Sequence, residues 1–334
     1  MMTYLIWSLP VIGTLFFIYI KRVPHGWVQW RTGLGLKFLP AIDHLSPIVQ
    51  RAKLDKLNIR GLPRIKKNLP VADIKDFDIP TRHGPVKARL YNDKADAALA
   101  PIFYIHGGGF CFGCLDMFEE VCRRLAQACK RQVYSIEYSL APEYKFPRMH
   151  EECEDAAVWL STHHDALGIA SEKLIPMGDS AGGNLAISTI FALRKRGLGN
   201  LLAAVVPIYP SLEGFPNETA SLGKYGEGYF LTQKAMATFT DALVADREDL
   251  KDPRLLLSSV NELKDFPPTF VVNAEFDPLR DDGGNFAERL KSAGNTHVER
   301  KIYKGTTHAF FGVGIMGDQG VKAVKDVAAF LRGI

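Results

Sequence analysis

Gly178-Asp179-Ser180-Ala181-Gly182 sets a serine between two glycines, after the strand-sized run "LIPM" and before the helix-sized "AGGNLAISTIFALRKRG". Turning a strand into a helix over so few residues brings positions 178 and 182 almost together, so both must lack bulk. It also holds the serine in a strained conformation with its hydroxyl thrust out at the strand's C-terminal end. The hydroxyl then sits at a helix N-terminus, whose partial positive charge favours an anion nearby. Those features suit a nucleophile that becomes acylated. A phosphate-binding glycine turn is the competing reading, but the lysine of a P-loop and the G-x-G-x-x-G of a dinucleotide site are both missing.

A serine hydroxyl needs a base, and the base needs a group to orient it. In sheets carrying such an elbow the partners follow in the order serine, acid, histidine. Of the nine histidines, only His297 and His308 come late enough. His297 opens the run "VERKIY", at the wrong end of a parallel strand, whereas His308 in "IYKGTTHAFFG" follows it and falls where sites in open sheets gather. His308 is therefore the expected base, and since only neutral imidazole accepts a proton, activity should rise from acid toward neutral pH. For the acid, "TFVVNAEFDPLRDDG" offers Glu275, Asp277, Asp281 and Asp282. Glu275 is still close to the strand, and Asp281 and Asp282 read as a helix's first turn, where acids oppose the dipole. Asp277, at the strand exit before Pro278, is best placed to reach the imidazole.

The stretch "FYIHGGGFCFG" runs a strand-sized segment into three consecutive glycines, which a strand would avoid. An acyl-transfer site explains them. It needs amide donors where the tetrahedral oxyanion forms, each worth roughly 3–4 kcal/mol, and bare backbone lets the substrate approach. HGGG-type loops serve this purpose in lipases and esterases. The donors are assigned to Gly108 and Gly109, with Gly107 shaping the turn, and to Ala181, the residue after the nucleophile. Cys111-Phe112-Gly113-Cys114 spells C-x-x-C, but it lacks a thioredoxin-like context and reads as small buried residues. No cluster has zinc-ligand spacing that leaves the three catalytic candidates intact.

Positioning these groups requires a sheet. From residue 76 onward, "PIFYI", "QVYSIEY", "KLIPMG", "AAVVPIY", "TFVVNAEF" and "VERKIY" read as strands rich in β-branched and aromatic residues. Helical stretches lie near 117–129, 151–163, 181–196, 232–245 and 281–293, and "GVKAVKDVAAFLRGI" reads as a last helix. "DIKDFDIP" and "VKARLY" add strand-sized runs at the start. Such alternation predicts an α/β fold, a mostly parallel sheet covered on both faces, over residues 76–334. The segment 211–231 breaks the rhythm and reads as an inserted loop or part of a cap.

The 334 residues carry a formal charge of only +4 and no basic block, so a nucleic-acid partner is not expected. The 5 cysteines cluster in one stretch, and their odd number fits a reducing compartment. Residues 1–20, "MMTYLIWSLPVIGTLFFIYI", contain no charged side chain and end at Lys21-Arg22. A helix of that length reaches roughly 30 Å, enough to span a bilayer's hydrocarbon. The basic flank predicts a membrane anchor with the remaining chain cytoplasmic. An apolar helix covering the pocket of a soluble cytoplasmic protein is the alternative. Residues 21–75 read as a cap or linker.

With these residues together, the chain resembles the hormone-sensitive-lipase-like group of α/β-hydrolase esterases, which includes the arylacetamide deacetylases. The resemblance rests on "HGGG" (His106–Gly109), "GDSAGG" around Ser180, "DPLRDD" (Asp277–Asp282), "HAF" around His308 and "EYSLAPEYKFP" from Glu137, and covers residues 70–334. It implies a carboxylic-ester hydrolase without metal or cofactor, an N-terminal cap, a small-molecule ester substrate, and Gly108, Gly109 and Ala181 as oxyanion donors. Two features depart from the pattern: Ala309 stands where the group has glycine, and cysteines follow the glycine loop. Amide deacetylation or acyl transfer would use the same groups. A ligand receptor on this fold, as in the gibberellin receptors, would have lost one of the three catalytic candidates, and none is lost here.

Overall fold

The computed structural model describes residues 47–49, 51, 63–163, 165–168, 171–312 and 317–334. Residues 1–20, on which the anchor expectation rests, lie outside them, as does most of 21–75. Among the described residues no helix is long and apolar enough to cross a membrane.

Strand-sized and helix-sized runs alternate in the chain as the sequence predicts. Strands β1 (Asp73–Thr81) and β2 (Gly84–Asn92) form a hairpin. Then come β3 (Ile102–Ile105), α1 (Glu119–Cys129), β4 (Val133–Glu137), α2 (Arg148–Thr162), β5 (Ile175–Asp179), α3 (Ala181–Lys195) and β6 (Val206–Ile208). Two helices, α4 (Ala220–Tyr225) and α5 (Gln233–Leu243), precede β7 (Thr269–Phe276), α6 (Arg280–Ser292), β8 (Val298–Thr307) and α7 (Asp318–Leu331). The 8 strands form one sheet in the order β1-β2-β4-β3-β5-β6-β7-β8. The hairpin strands join antiparallel, and every pairing from β4 to β8 is parallel.

Burial on both faces explains the unbroken apolar strands. In β3, Phe103 and Ile105 enter a cluster with Leu160 of α2, Leu185 of α3 and Phe286 of α6. Ile102 and Tyr104 enter the opposite cluster, with Leu125 of α1 and Val327 of α7. Helices therefore cover both sides of the sheet. The irregular 211–231 segment contains only α4, whose N-cap Thr219 accepts from Leu222 N, and Thr232 caps α5 by accepting from Ala235 N.

The consequence for chemistry is positional. His106, Ser180, Asp277 and His308 are each the residue immediately after a strand: β3, β5, β7 and β8 respectively. Because those strands run parallel, all four residues emerge at one edge of the sheet. His297 precedes β8 and lies at the opposite end.

Candidate active site

Ser180 has φ 57° and ψ −120°, a conformation that ordinary side chains avoid. Its amide donates to Ile208 O at 2.9 Å, and its carbonyl accepts from Gly183 N and Asn184 N. The closeness inferred for the flanking glycines is real. A Cβ on Gly178 would lie 2.3 Å from Gly182 O, and one on Gly182 would lie 2.0 Å from Ile105 O. Neither contact is with a side chain that could swing away.

Three of the expected residues meet. His308 Nε2 is 2.8 Å from Ser180 Oγ, and His308 Nδ1 is 2.8 Å from Asp277 Oδ2. Asp277 is fully buried, and its other oxygen accepts from Leu279 N at 2.9 Å. An ionised carboxylate only accepts, so the proton on the imidazole belongs on Nδ1. Nε2 is then left to accept the serine's hydrogen. The imidazole packs 4.6 Å from the ring of Tyr209.

The glycine loop lies directly against the elbow. Gly107 N–H is committed to Asp179 Oδ1 at 2.9 Å. By contrast, the amides of Gly108, Gly109 and Ala181 have no acceptor among the described residues. Gly108 and Gly109 have φ of +119° and +60°, values that glycine tolerates best. The His106 ring stacks on Tyr138 at 4.3 Å and on Phe118 at 5.3 Å, and its Nδ1 lies 2.8 Å from Gly107 O. Burial lowers its pKa to about 4, so it is a neutral shaper of the turn.

Asp281 and Asp282 do more than oppose the helix dipole, which corrects the role expected of them. Asp282 is buried, and its Oδ2 accepts from Leu212 N and Glu213 N at 2.9 and 3.1 Å. Asp281 accepts from Ser221 N at 2.8 Å. Together they fasten the irregular segment over the sheet edge. Burial raises the Asp282 carboxyl to about 8, against the two amide hydrogen bonds, which lower it. Glu275 faces elsewhere, accepting from Gly305 N and pairing with Lys304.

Asp179 makes contacts that its place in the motif does not reveal. It is buried, and its Oδ1 accepts from both Gly107 N and the Tyr104 hydroxyl, at 2.9 and 2.8 Å. One carboxylate thus joins the residue before the serine to the start of the glycine loop. The signal was present in the motif, as an acid beside the nucleophile, but nothing in the spacing named its partners. Burial pushes the Cys111 thiol up to about 12, the state of an inert packing residue.

A strained serine at a parallel-sheet edge, linked through imidazole to a buried carboxylate and accompanied by amides with no acceptor among the described residues, is the equipment of a hydrolase that works by acyl transfer. A family model described as alpha/beta hydrolase fold matches residues 102–312. An arylesterase of Saccharolobus solfataricus is 31% identical over 263 residues, covering 78% of this chain and 83% of the relative. The carboxylic ester hydrolase LipN of Mycobacterium tuberculosis is 32% identical, over 78% of this chain and 70% of its own length. Among solved structures, a hyperthermophilic esterase of the archaeon Pyrobaculum calidifontis superposes with a TM-score of 0.84 at 34% identity, covering 90% of this chain and 96% of that one. The chain belongs to the α/β-hydrolase fold family, in its hormone-sensitive-lipase-like esterase group.

Proposed function

We propose that this protein is a serine carboxylesterase in which Ser180 is the nucleophile, His308 the general base and acid, and Asp277 the group that orients the imidazole. His308 Nε2 removes the Ser180 proton as Oγ attacks the ester carbonyl carbon, and the carbonyl oxygen becomes an oxyanion facing the amides of Gly108, Gly109 and Ala181. When the tetrahedral species collapses, the C–O bond to the alcohol breaks and the imidazolium gives that oxygen its proton. Water then attacks the acyl-Ser180 by the same route, with His308 taking a proton and returning it to Oγ, and the carboxylic acid leaves. Asp277 stabilises the imidazolium in both halves without being protonated.

The observation that supports this most is the unbroken chain Asp277–His308–Ser180, with both contacts at 2.8 Å, beside amides that have no other acceptor among the described residues. Turnover of a graded series of aryl esters by the wild type and by Ser180→Ala tests it. The series should be hydrolysed by the wild type alone, and comparable turnover by the variant refutes the assignment.

The finer resemblance, to arylacetamide deacetylases, makes a lipophilic aryl ester the first substrate to try and an anilide the second. Residues 1–20 serve as a membrane anchor in this reading, bringing the site to substrate dissolved in lipid. The anchored chain should stay in the pellet after a carbonate wash of membranes, and its full release would leave only the covering role for that segment.

A further inference from the structure

The loop that carries the oxyanion amides is gripped from outside the sheet. Within it, Gly108 O accepts from Cys111 N and Phe112 N, both at 3.0 Å, and Phe110 O accepts from Ala141 N at 2.8 Å. Phe110 has a φ of 61°, in the left-handed region where a side chain is strained. A turn of that kind persists only where its surroundings hold it. Part of the hold comes from Arg51, 60 positions before Cys111 and ahead of the first strand. Arg51 Nε donates to Cys111 O at 2.9 Å, and Nη2 donates to Ala141 O at 2.8 Å. Its Nη1 and Nη2 also reach the two carboxylate oxygens of Glu143, at 2.9 and 3.0 Å.

One planar guanidinium therefore bridges the far leg of the glycine loop to the 141–143 segment, which already holds Phe110 by its carbonyl. Lysine could not do this, because an ammonium is a point donor and lacks the fork geometry. The two contacts to backbone carbonyls are charge-assisted and partly shielded. The pair with Glu143, whose side chain is 42% exposed, adds little by itself.

We propose that Arg51 is a positioning residue for the oxyanion hole: by tying Cys111 O to Ala141 O it fixes the turn that aims the Gly108 and Gly109 amides. A residue ahead of the first strand then contributes to rate. This rests on the esterase reading above, so Ser180→Ala is carried in the same assays.

The test uses the full chain with Arg51→Ala, Arg51→Lys and Glu143→Gln, assayed on an aryl ester well below each variant's melting temperature. Inhibition by an aryl trifluoromethyl ketone is measured alongside, because its adduct with Ser180 places an oxyanion in the hole. Both Arg51 variants should lose kcat by roughly tenfold or more, as a misaligned hole requires, with KM within about threefold. The inhibition constant should rise by the same factor as kcat falls. Glu143→Gln, which keeps both carbonyl contacts, should stay within about threefold of the wild type. Unchanged kcat in Arg51→Lys overturns the proposal, as does a Glu143→Gln loss equal to that of Arg51→Ala, or a kcat loss with no weakening of the ketone. Wild-type turnover by Ser180→Ala would instead bring down the esterase reading, and the proposal with it.

Discussion

Replacing Asp179 by asparagine removes a buried charge beside the nucleophile while leaving an oxygen that can still accept from Gly107 N–H and the Tyr104 hydroxyl. Burial is the largest influence on this carboxyl and raises it from 3.8 to about 6, against the two hydrogen bonds, which lower it. A carboxyl raised in the folded state binds its proton more tightly there than in the unfolded chain. Its contribution to stability is fully present below the unfolded value of 3.8 and is lost as pH rises through about 6. At pH 7 the charged form therefore costs about 3 kcal/mol, from a shift of a little over two units. Between pH 7 and pH 5 the wild type regains about 1 kcal/mol of this, while asparagine has nothing to titrate. Urea unfolding of both proteins at the two pH values reads the difference directly, since ionisations common to both cancel. Relative to the wild type, Asp179→Asn should be about 1 kcal/mol more stable at pH 7 than at pH 5. Asp179→Ala, which leaves the Gly107 amide without its acceptor, should lose roughly a hundredfold in kcat. A stability difference between wild type and Asp179→Asn that is the same at both pH values would mean that the Asp179 carboxyl does not titrate between them.

Ala309 follows the base with a φ of 69°, so Ala309→Gly should relieve left-handed strain and raise stability by about 1 kcal/mol, read as a higher melting temperature. His150 is buried, bonded through Nε2 to Asn184 Oδ1 at 3.0 Å, and held by burial at about 4 instead of 6.5. The unfolded chain binds the extra proton between those values, so the wild type loses stability as pH falls from 6.5 toward 4. Between pH 7.5 and pH 5 it should lose about 2 kcal/mol more than His150→Gln, measured by urea unfolding.

The parts of this site that the sequence reveals are those governed by local rules. Runs rich in β-branched and aromatic residues mark β3 to β8 because both faces of those strands are buried. The C-terminal ends of β3 to β7 fall within a residue of where their runs stop, whereas β8 continues past its run at Tyr303 to Thr307. Once the strands are parallel, the residue after β5, β7 or β8 must stand at one edge, which is why Ser180, Asp277 and His308 can be named from chain order. Contacts between distant segments have no such signature. Asp282 reaches back 70 positions to the amide of Leu212, and its place in a helix's first turn looks like any acid opposing a dipole. Asp179 reaches 72 positions to Gly107, and Arg51 reaches 60 to Cys111. In each case composition gives the charge, and only the fold gives the partner.

In the proposed reaction one hydroxyl, that of Ser180, and no other is acylated. Incubating the protein with a p-nitrophenyl alkylphosphonate, followed by intact-mass measurement and peptide mapping, tests it directly. A single covalent adduct is expected on the peptide carrying Ser180, with much slower labelling in His308→Ala and no adduct in Ser180→Ala. An adduct at another residue, or equal labelling of Ser180→Ala, would contradict it.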